Sequence, residues 1–476
     1  MSAVKPSRSA KRQVIGQARI QALALLMRID QSGLTLDAVL DSAHNETTHW
    51  SAADRALLNA LIFGVLRWRG RLDWLIGHVS KTPLKRMDPS IRMLLRMAIF
   101  QICFLDRVPP SAAVNSAVEL AKTLGPPWVV KFVNALLRNI VRRHADIVFP
   151  DTQTDPIGHI AAAQSMPRML AARWIQRFGF DDAHALCRAF NTIAPLTIRA
   201  NTLQIEPAAL QIRLAADSQP SGRAKLAPEA IHLRRPHRPI EQMRAFQTGL
   251  FQVQDEAAQL IARLVNPQSN ETILDACAGL GGKTTHLAQL IRNTGHITAV
   301  DLHPQRLAGL KAAITRLAVT NVSIVRADIR HSPFHHRFDR ILLDAPCSGA
   351  GVIRRNPDTK WNLKNDFKRY QRRQLRLLDE VAPLVKSGGL LVYAVCSFEP
   401  EETQQVIDRF LKNQPYFSID RGLGALSNKA ADLIDDHGAF TSFPHRHDMD
   451  GFYAIRLRRH FRKIDRDFEI STQPGS

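Results

Sequence analysis

Cysteine is scarce in this 476-residue chain. Only Cys103, Cys187, Cys277, Cys347 and Cys396 occur, and no two are spaced Cys-x-x-Cys. That spacing argues against a cysteine-based zinc site, so no metal is expected, and a sparse, odd count suits a reducing cytoplasm. Long apolar runs are also missing. No stretch approaches the roughly 18 residues of a membrane span, and Arg28 and Asp30 break the apolar run behind the basic start (Lys5, Arg8, Lys11, Arg12), which argues against a signal peptide. The first 28 residues hold no acid, a feature shared with organelle transit peptides; the preferred reading is a basic tail opening the first helix.

Acid is in deficit throughout. Lys plus Arg is 64 against 43 for Asp plus Glu, a net charge of +21. A chain this basic favours polyanions, because each phosphate contact releases counterions. Nucleic acid leads as partner, with an anionic membrane surface second. The apolar content of 45% is that of a folded protein, and the length suits two to four domains.

The first third reads as helices. Ser51 with Asp54 resembles a capping box before Leu57, Leu58, Leu61, Ile62 and Val65. Asp88-Pro89 places a cap and a first-turn proline before Ile91, Leu94, Leu95 and Ile99, and Pro109-Pro110-Ser111 separates that helix from the next. An all-helical domain is predicted over 1–146. Phe149 to Pro156 is polar and proline-punctuated, and reads as a linker. A small α/β, RNA-recognition-like domain is predicted over 165–250, with a strand at Leu196-Thr197-Ile198-Arg199.

From 251 to 460 strand and helix alternate, which predicts a doubly wound, Rossmann-like sheet with ligands at the carboxyl ends of its strands. Ile273-Leu274-Asp275-Ala276-Cys277 leads into the glycine loop Ala278-Gly279-Leu280-Gly281-Gly282-Lys283; later strands end at Asp301, near Asp328, and at Leu343 and Val395. The loop lacks two glycines that would define other cofactors. Cys277 stands where a phosphate-cradling P-loop needs glycine, and Thr284 where a dinucleotide loop does. Close backbone approach, with Asp301 for ribose hydroxyls and Asp328 for an adenine amine, suits a nucleoside without phosphates. S-adenosylmethionine, a cationic sulfonium, fits.

Two thiols follow. Asp344-Ala345-Pro346-Cys347-Ser348-Gly349 and Tyr393-Ala394-Val395-Cys396-Ser397 each close an apolar strand, with the cysteines 49 residues apart. Paired thiols beside a cofactor loop suggest covalent catalysis. Arg354, Arg355, Lys360, Lys364, Lys368, Arg369, Arg372 and Arg373 crowd the segment between them, interleaved with Trp361 and Tyr370, and Arg456, Arg458, Arg459, Arg462 and Lys463 load the tail. Together they predict an electropositive rim around the pocket.

These motifs resemble the RsmB/Sun branch of the RNA cytosine-5 methyltransferases. The matching residues are Asp275-Ala276-Cys277-Ala278 with Gly281-Gly282-Lys283-Thr284, the two Cys-Ser elements, Val253-Gln254-Asp255-Glu256-Ala257 and Asp450-Gly451-Phe452. Asn115 to Lys122 and Phe132 to Arg138 resemble a NusB-like RNA-binding domain, and the likeness spans about residues 10–458. The chain departs from the family at Gly279-Leu280, usually Ala-Pro, and at Val395, usually Thr. The resemblance implies S-adenosylmethionine held by residues 277–283 with Asp301, Asp328 and Asp344, and small-subunit (16S) ribosomal RNA as substrate. It implies Cys396 as nucleophile towards cytosine C6, Cys347 assisting release, and Asp344 bonded to N3 or the amine of the ring. DNA cytosine methyltransferases attack with the Pro-Cys thiol instead; the second cysteine points to RNA. A transfer-RNA methyltransferase and a non-catalytic RNA-binding or ribosome assembly factor are the alternatives.

Overall fold

A computed structural model describes residues 16–461 except 48, 364, 365 and 423. The tail cations Arg462 and Lys463, the basic start and Lys364 lie outside the described residues. Two compact units divide the chain, 1–191 with 356–364 and 192–355 with 365–476.

The first unit is helical throughout its described residues. Helices run Gln17–Ser32, Leu36–Thr47, Ala52–Val79, Pro89–Phe104, Pro110–Leu124 and Pro127–Arg143, then Pro156–Ala163, Arg168–Phe178 and Phe180–Phe190. The starts follow the local chemistry. Ser51 accepts from the Asp54 amide, Asp88 from the amides of Ser90 and Ile91, and Asp155 from that of Gly158. Leu61, Ile62, Leu94, Ile99, Leu137 and Ile140 have no exposed surface and form the centre of the bundle. The stretch read as a linker is folded back on itself: Asp151 accepts from the amides of Gln153 and Thr154.

Segment 356–364 belongs to this unit, which corrects the reading of its residues as part of a rim. Lys360 is 1% exposed and gives its ammonium to the carbonyls of Arg67 and Ser165 and to Asn191 Oδ1. Burial pulls its pKa down to about 7. The Trp361 indole donates to the Leu66 carbonyl at 2.7 Å, so this ring is a structural wedge and not a platform for a base.

The second unit holds two sheets. β1 (Leu196–Ala200), β2 (Ser221–Arg223), β3 (Ala230–Leu233) and β4 (Phe251–Val253) form an antiparallel sheet in the order β2-β3-β1-β4, packed on the helix Pro207–Ala216 through Ile198, Leu210, Leu214 and Phe251. The larger sheet contains β5 (Thr272–Asp275), β6 (His296–Asp301), β7 (Val322–Arg326), β8 (Phe338–Asp344), β9 (Val385–Val395), β10 (Phe417–Asp420), β11 (Ala439–Thr441) and β12 (Tyr453–Arg459). Its order is β10-β12-β9-β8-β5-β6-β7, with β11 also on β12. The five strands from β5 to β9 are parallel, and β12, β10 and β11 are antiparallel. β12 lies inside the sheet between β9 and β10, not at an edge. Strand order reverses between β5 and β8, the place where an open α/β sheet leaves a crevice at its carboxyl end.

Candidate active site

The register of the parallel strands places the chemistry. Asp344 at the end of β8 pairs with Ala394 in β9, and the Ala345 amide donates to the Ala394 carbonyl at 2.8 Å. Both chains then leave the sheet at the same level. Cys347 Sγ and Cys396 Sγ come to 2.9 Å from each other, and both are free thiols. The contact with Cys396, then burial, pushes the Cys347 pKa well above the usual thiol range.

One carboxylate holds both loops. Glu402 accepts from the Ser348 amide (2.8 Å), the Ser348 hydroxyl, the Ser397 hydroxyl (2.7 Å) and Gln374 Nε2 (3.1 Å). Each serine follows one of the two cysteines. Burial raises the Glu402 pKa while these donors oppose it. Tyr393 donates to the Glu402 carbonyl at 2.7 Å, and so ties the clamp back to β9.

Two glycines close the floor. The Gly351 amide donates to the Cys396 carbonyl at 3.0 Å, and the Gly451 amide to the Gly351 carbonyl at 2.9 Å. A Cβ on Gly351 would lie 1.9 Å from the Gly451 carbonyl oxygen. Gly351→Ala is therefore expected to cost about 1–3 kcal/mol of stability, the range for overpacking, and to slow turnover by spreading the thiols. A urea midpoint equal to that of the wild type would show that the two backbones can part freely.

Asp344 at the end of β8 accepts from Lys283 Nζ at 2.6 Å. Lys283 stands in the first turn of the helix Gly282–Leu290. Burial works against its charge, but the Asp344 carboxylate outweighs it and the net pKa is raised; Cys396 also lies within its electrostatic reach. Its ammonium sits 5.1 Å from the Phe452 ring, next to Gly451. The structure brings Cys347 and Cys396 together and pairs Asp344 with Lys283, which the sequence placed in the cofactor loop.

The glycine loop lies beside them. The Gly279 amide donates to Asp301 Oδ2 at 3.0 Å, and the Ala278 amide to the Val300 carbonyl at 2.8 Å. Gly281 has φ +82°, and a Cβ there would meet Leu310 at 2.1 Å, so this position requires glycine. Leu280 is 64% exposed at the loop's tip. Cys277 takes no part as a nucleophile: burial and the acids Asp275, Asp344 and Asp301 push its pKa up. Asp328 is engaged elsewhere, in a two-pronged ion pair with Arg330 that lowers its pKa to about 2.

Asp275, under the loop, accepts from the Thr284 hydroxyl at 2.7 Å, but burial dominates and raises its pKa to about 6. An acid raised in this way binds its proton more tightly folded than unfolded. Its contribution is full below the unfolded value near 4 and is lost as pH rises through about 6. Asp275→Asn is thus expected to raise stability at pH 8, by at most about 3 kcal/mol, and to change little at pH 4. Chemical denaturation at both pH values tests this, and an equal midpoint at pH 8 would contradict it.

Several supporting residues were invisible in the sequence. Arg199 of β1 is fully buried and ties the small sheet to the helix Gly282–Leu290, donating to the Gly282 carbonyl (2.6 Å), Thr285 Oγ1 (2.9 Å) and Gln254. Glu402 sat in an unremarked Glu-Pro-Glu-Glu run. Arg354 and Arg355, read as rim cations, are taken up internally. Arg354 pairs with Asp448, and Arg355 bridges Asp255 (2.6 Å) and Asp450 (2.7 Å). In the tail, Arg456 and Arg458 bond Asp420, and Arg459 is buried against backbone carbonyls. Charge runs in a sequence do not tell a buried ion pair from a free cation.

Three family descriptions match the chain: 16S rRNA methyltransferase RsmB/F over residues 262–458, the NusB family over 16–142, and the RsmF/B-like ferredoxin-like domain over 166–241. The chain is 36% identical over 447 residues to the probable ribosomal RNA small subunit methyltransferase B of Bacillus subtilis, covering 92% of this chain and 98% of that one. It is 33% identical to ribosomal RNA small subunit methyltransferase B of Yersinia pseudotuberculosis, over 92% and 97% of the two chains. The solved structure of PH0851 is similar at a TM-score of 0.76, with 26% identity over 93% of this chain and 98% of that one. End-to-end likeness at this identity, with the helical, ferredoxin-like and methyltransferase matches in one order, means that the chain belongs to the RsmB/F family of methyltransferases.

Proposed function

We propose that this protein transfers a methyl group from S-adenosylmethionine to C5 of a cytidine in small-subunit (16S) ribosomal RNA, through a covalent adduct with Cys396. The observation that carries the reading is the pair of thiols 2.9 Å apart beside the Lys283–Asp344 pair. The names of the relatives support the substrate. The residues suit the cofactor: the loop 277–282 has a positive-φ glycine that no larger residue replaces, Gly279 has open space at its Cβ position, and Asp301 closes the loop from β6. S-adenosylmethionine supplies an electrophilic methyl group on a sulfonium.

Cytosine C5 is a poor nucleophile until a thiolate adds to C6. Cys396 gives its thiol proton to water and attacks C6 as thiolate, with the Cys347 thiol 2.9 Å away to hydrogen-bond it. As the Cys396–C6 bond forms, the electron pair moves to N3, which takes a proton from water and returns it when the product forms; Asp344, held by Lys283, accepts from that N3–H and from the exocyclic amine. Once Cys396 is bonded to carbon, the main influence holding the proton on Cys347 is gone. Cys347 then releases it to water and takes the proton from the methylated C5. The C5–C6 double bond re-forms as the Cys396–C6 bond breaks, and Cys396 departs as thiolate.

Purified protein, S-adenosylmethionine and 16S ribosomal RNA lacking the modification provide the test, read by bisulfite sequencing. One new methylcytosine in 16S RNA is expected. Methylation of transfer RNA instead would overturn the substrate, and no methylation of either would overturn the reaction.

A further inference from the structure

Removing the paired and buried arginines from the predicted rim leaves one cluster. The helix Phe367–Val381 carries Lys368, Arg369, Arg372, Arg373 and Arg376, all exposed. None of the five makes an ion pair among the described residues. At 3.6 residues per turn they fall within about 140° of arc. Phe367, Gln371, Gln374, Leu377, Leu378 and Val381 bury the opposite face.

Two features show that this face is poorly balanced on its own. Lys368–Arg372, Arg369–Arg373 and Arg372–Arg376 are like-charge pairs at i,i+4, each of which opposes the helix. Asp366 caps the helix and accepts from the Arg369 amide at 3.1 Å, but within the first turn there is no acid, and Lys368 and Arg369 oppose the helix dipole there. A polyanion along the face relieves both.

The helix is also fixed to the reacting centre. Its buried Gln374 donates to the Pro346 carbonyl at 3.2 Å as well as to Glu402. Half-buried Tyr370 lies within the electrostatic reach of Cys347 and Glu402, and Arg373 within that of Cys277 in the cofactor loop. The basic face therefore passes beside the reacting centre at Tyr370, Arg373 and Gln374, and extends about 12 Å from Lys368 to Arg376 at 1.5 Å per residue.

We infer that the exposed face of the helix Phe367–Val381 is the docking track for the RNA backbone flanking the target nucleotide, with its cations on successive phosphates and Tyr370 at the pocket's mouth. This deepens the proposed function and rests on it. Such a track positions a strand without reading its sequence.

The test uses the full chain carrying K368A, R372A and R376A together, which are on the outer face and touch neither thiol loop. Binding to a 16S ribosomal RNA transcript is measured against salt, alongside S-adenosylmethionine binding. The Kd for RNA is expected to rise roughly 10- to 100-fold, and the slope of log K against log salt to fall by about 2, as loss of three single-strand phosphate contacts requires. The KM for RNA is expected to rise far more than kcat falls. Unchanged cofactor affinity shows that the variant is folded. RNA affinity and slope equal to wild type would overturn the track while leaving the methylation reading intact. The expected RNA loss with no methyl transfer by the wild type would sustain the track and overturn that reading. If the variant loses phosphatidylserine vesicles but keeps RNA, the face is a lipid surface and the inference falls.

Discussion

Cys347→Ala is expected to stop with the methylated base still bonded to Cys396. Without the Cys347 sulfur nothing beside C5 takes its proton, so Cys396 cannot be expelled and a protein–RNA adduct accumulates that survives a denaturing gel. Cys396→Ala is expected to do the reverse: it binds RNA and cofactor, forms no adduct, and loses turnover by roughly 10⁴-fold or more, the scale for removal of a covalent nucleophile. The two variants differ by one sulfur at two positions 2.9 Å apart. Opposite gel behaviour is thus a sharp discriminator of role. An adduct in Cys396→Ala and none in Cys347→Ala would exchange the two roles. If neither substitution altered turnover, the two-thiol mechanism would fail and a non-catalytic RNA-binding role would return.

Glu402→Ala is expected to have the second-largest effect, although Glu402 touches no reacting atom. Its carboxylate gathers the Ser348 amide, two hydroxyls and Gln374 in the site's interior. Removing it leaves the Ser348 amide without an acceptor, at about 1–3 kcal/mol for a buried group left unpaired, while Gln374 keeps the Pro346 carbonyl and the two hydroxyls keep each other. It also frees the two loops from each other. A displacement near 1 Å of a reacting group costs about 10²-fold in rate, and kcat is expected to fall by that much or more. A purely structural role would lower stability alone. A positioning role also shifts the adduct chemistry, so the background Glu402→Ala with Cys347→Ala should trap adduct more slowly than Cys347→Ala. Glu402→Gln keeps one acceptor oxygen and should recover part of the rate. Wild-type trapping in the double variant would show that the thiols find each other without the clamp.

The sequence was informative where chemistry is local. Ser51, Asp88 and the first-turn prolines mark helix starts because a cap acts within three residues. The strands β5 to β9 were legible as apolar runs closed by Asp, Gly or Pro. β10 was not, since Phe417–Asp420 is a four-residue strand held by pairing to β12 and carries no strong pattern of its own. The helix Leu36–Thr47 was missed as well; its Leu36, Val39 and Ala43 are buried, but it contains His, Asn, Ser and Thr, which weaken the helical signal.

By itself the sequence determined the order of domains, the glycine loop and the two Cys-Ser elements, because each is written in a few adjacent residues. Only the tertiary structure decided that the thiols meet, through the parallel register of β8 on β9, and that Glu402 and Arg199, far apart in the chain, hold the two halves of the site. It also sorted the cations. Arg354, Arg355 and Lys360 were drawn inside, where a charge persists only with partners in reach, and the helix Phe367–Val381 kept its five in water. Whether a charge is paired depends on what folding brings within a few ångströms, and no count of residue types contains that distance.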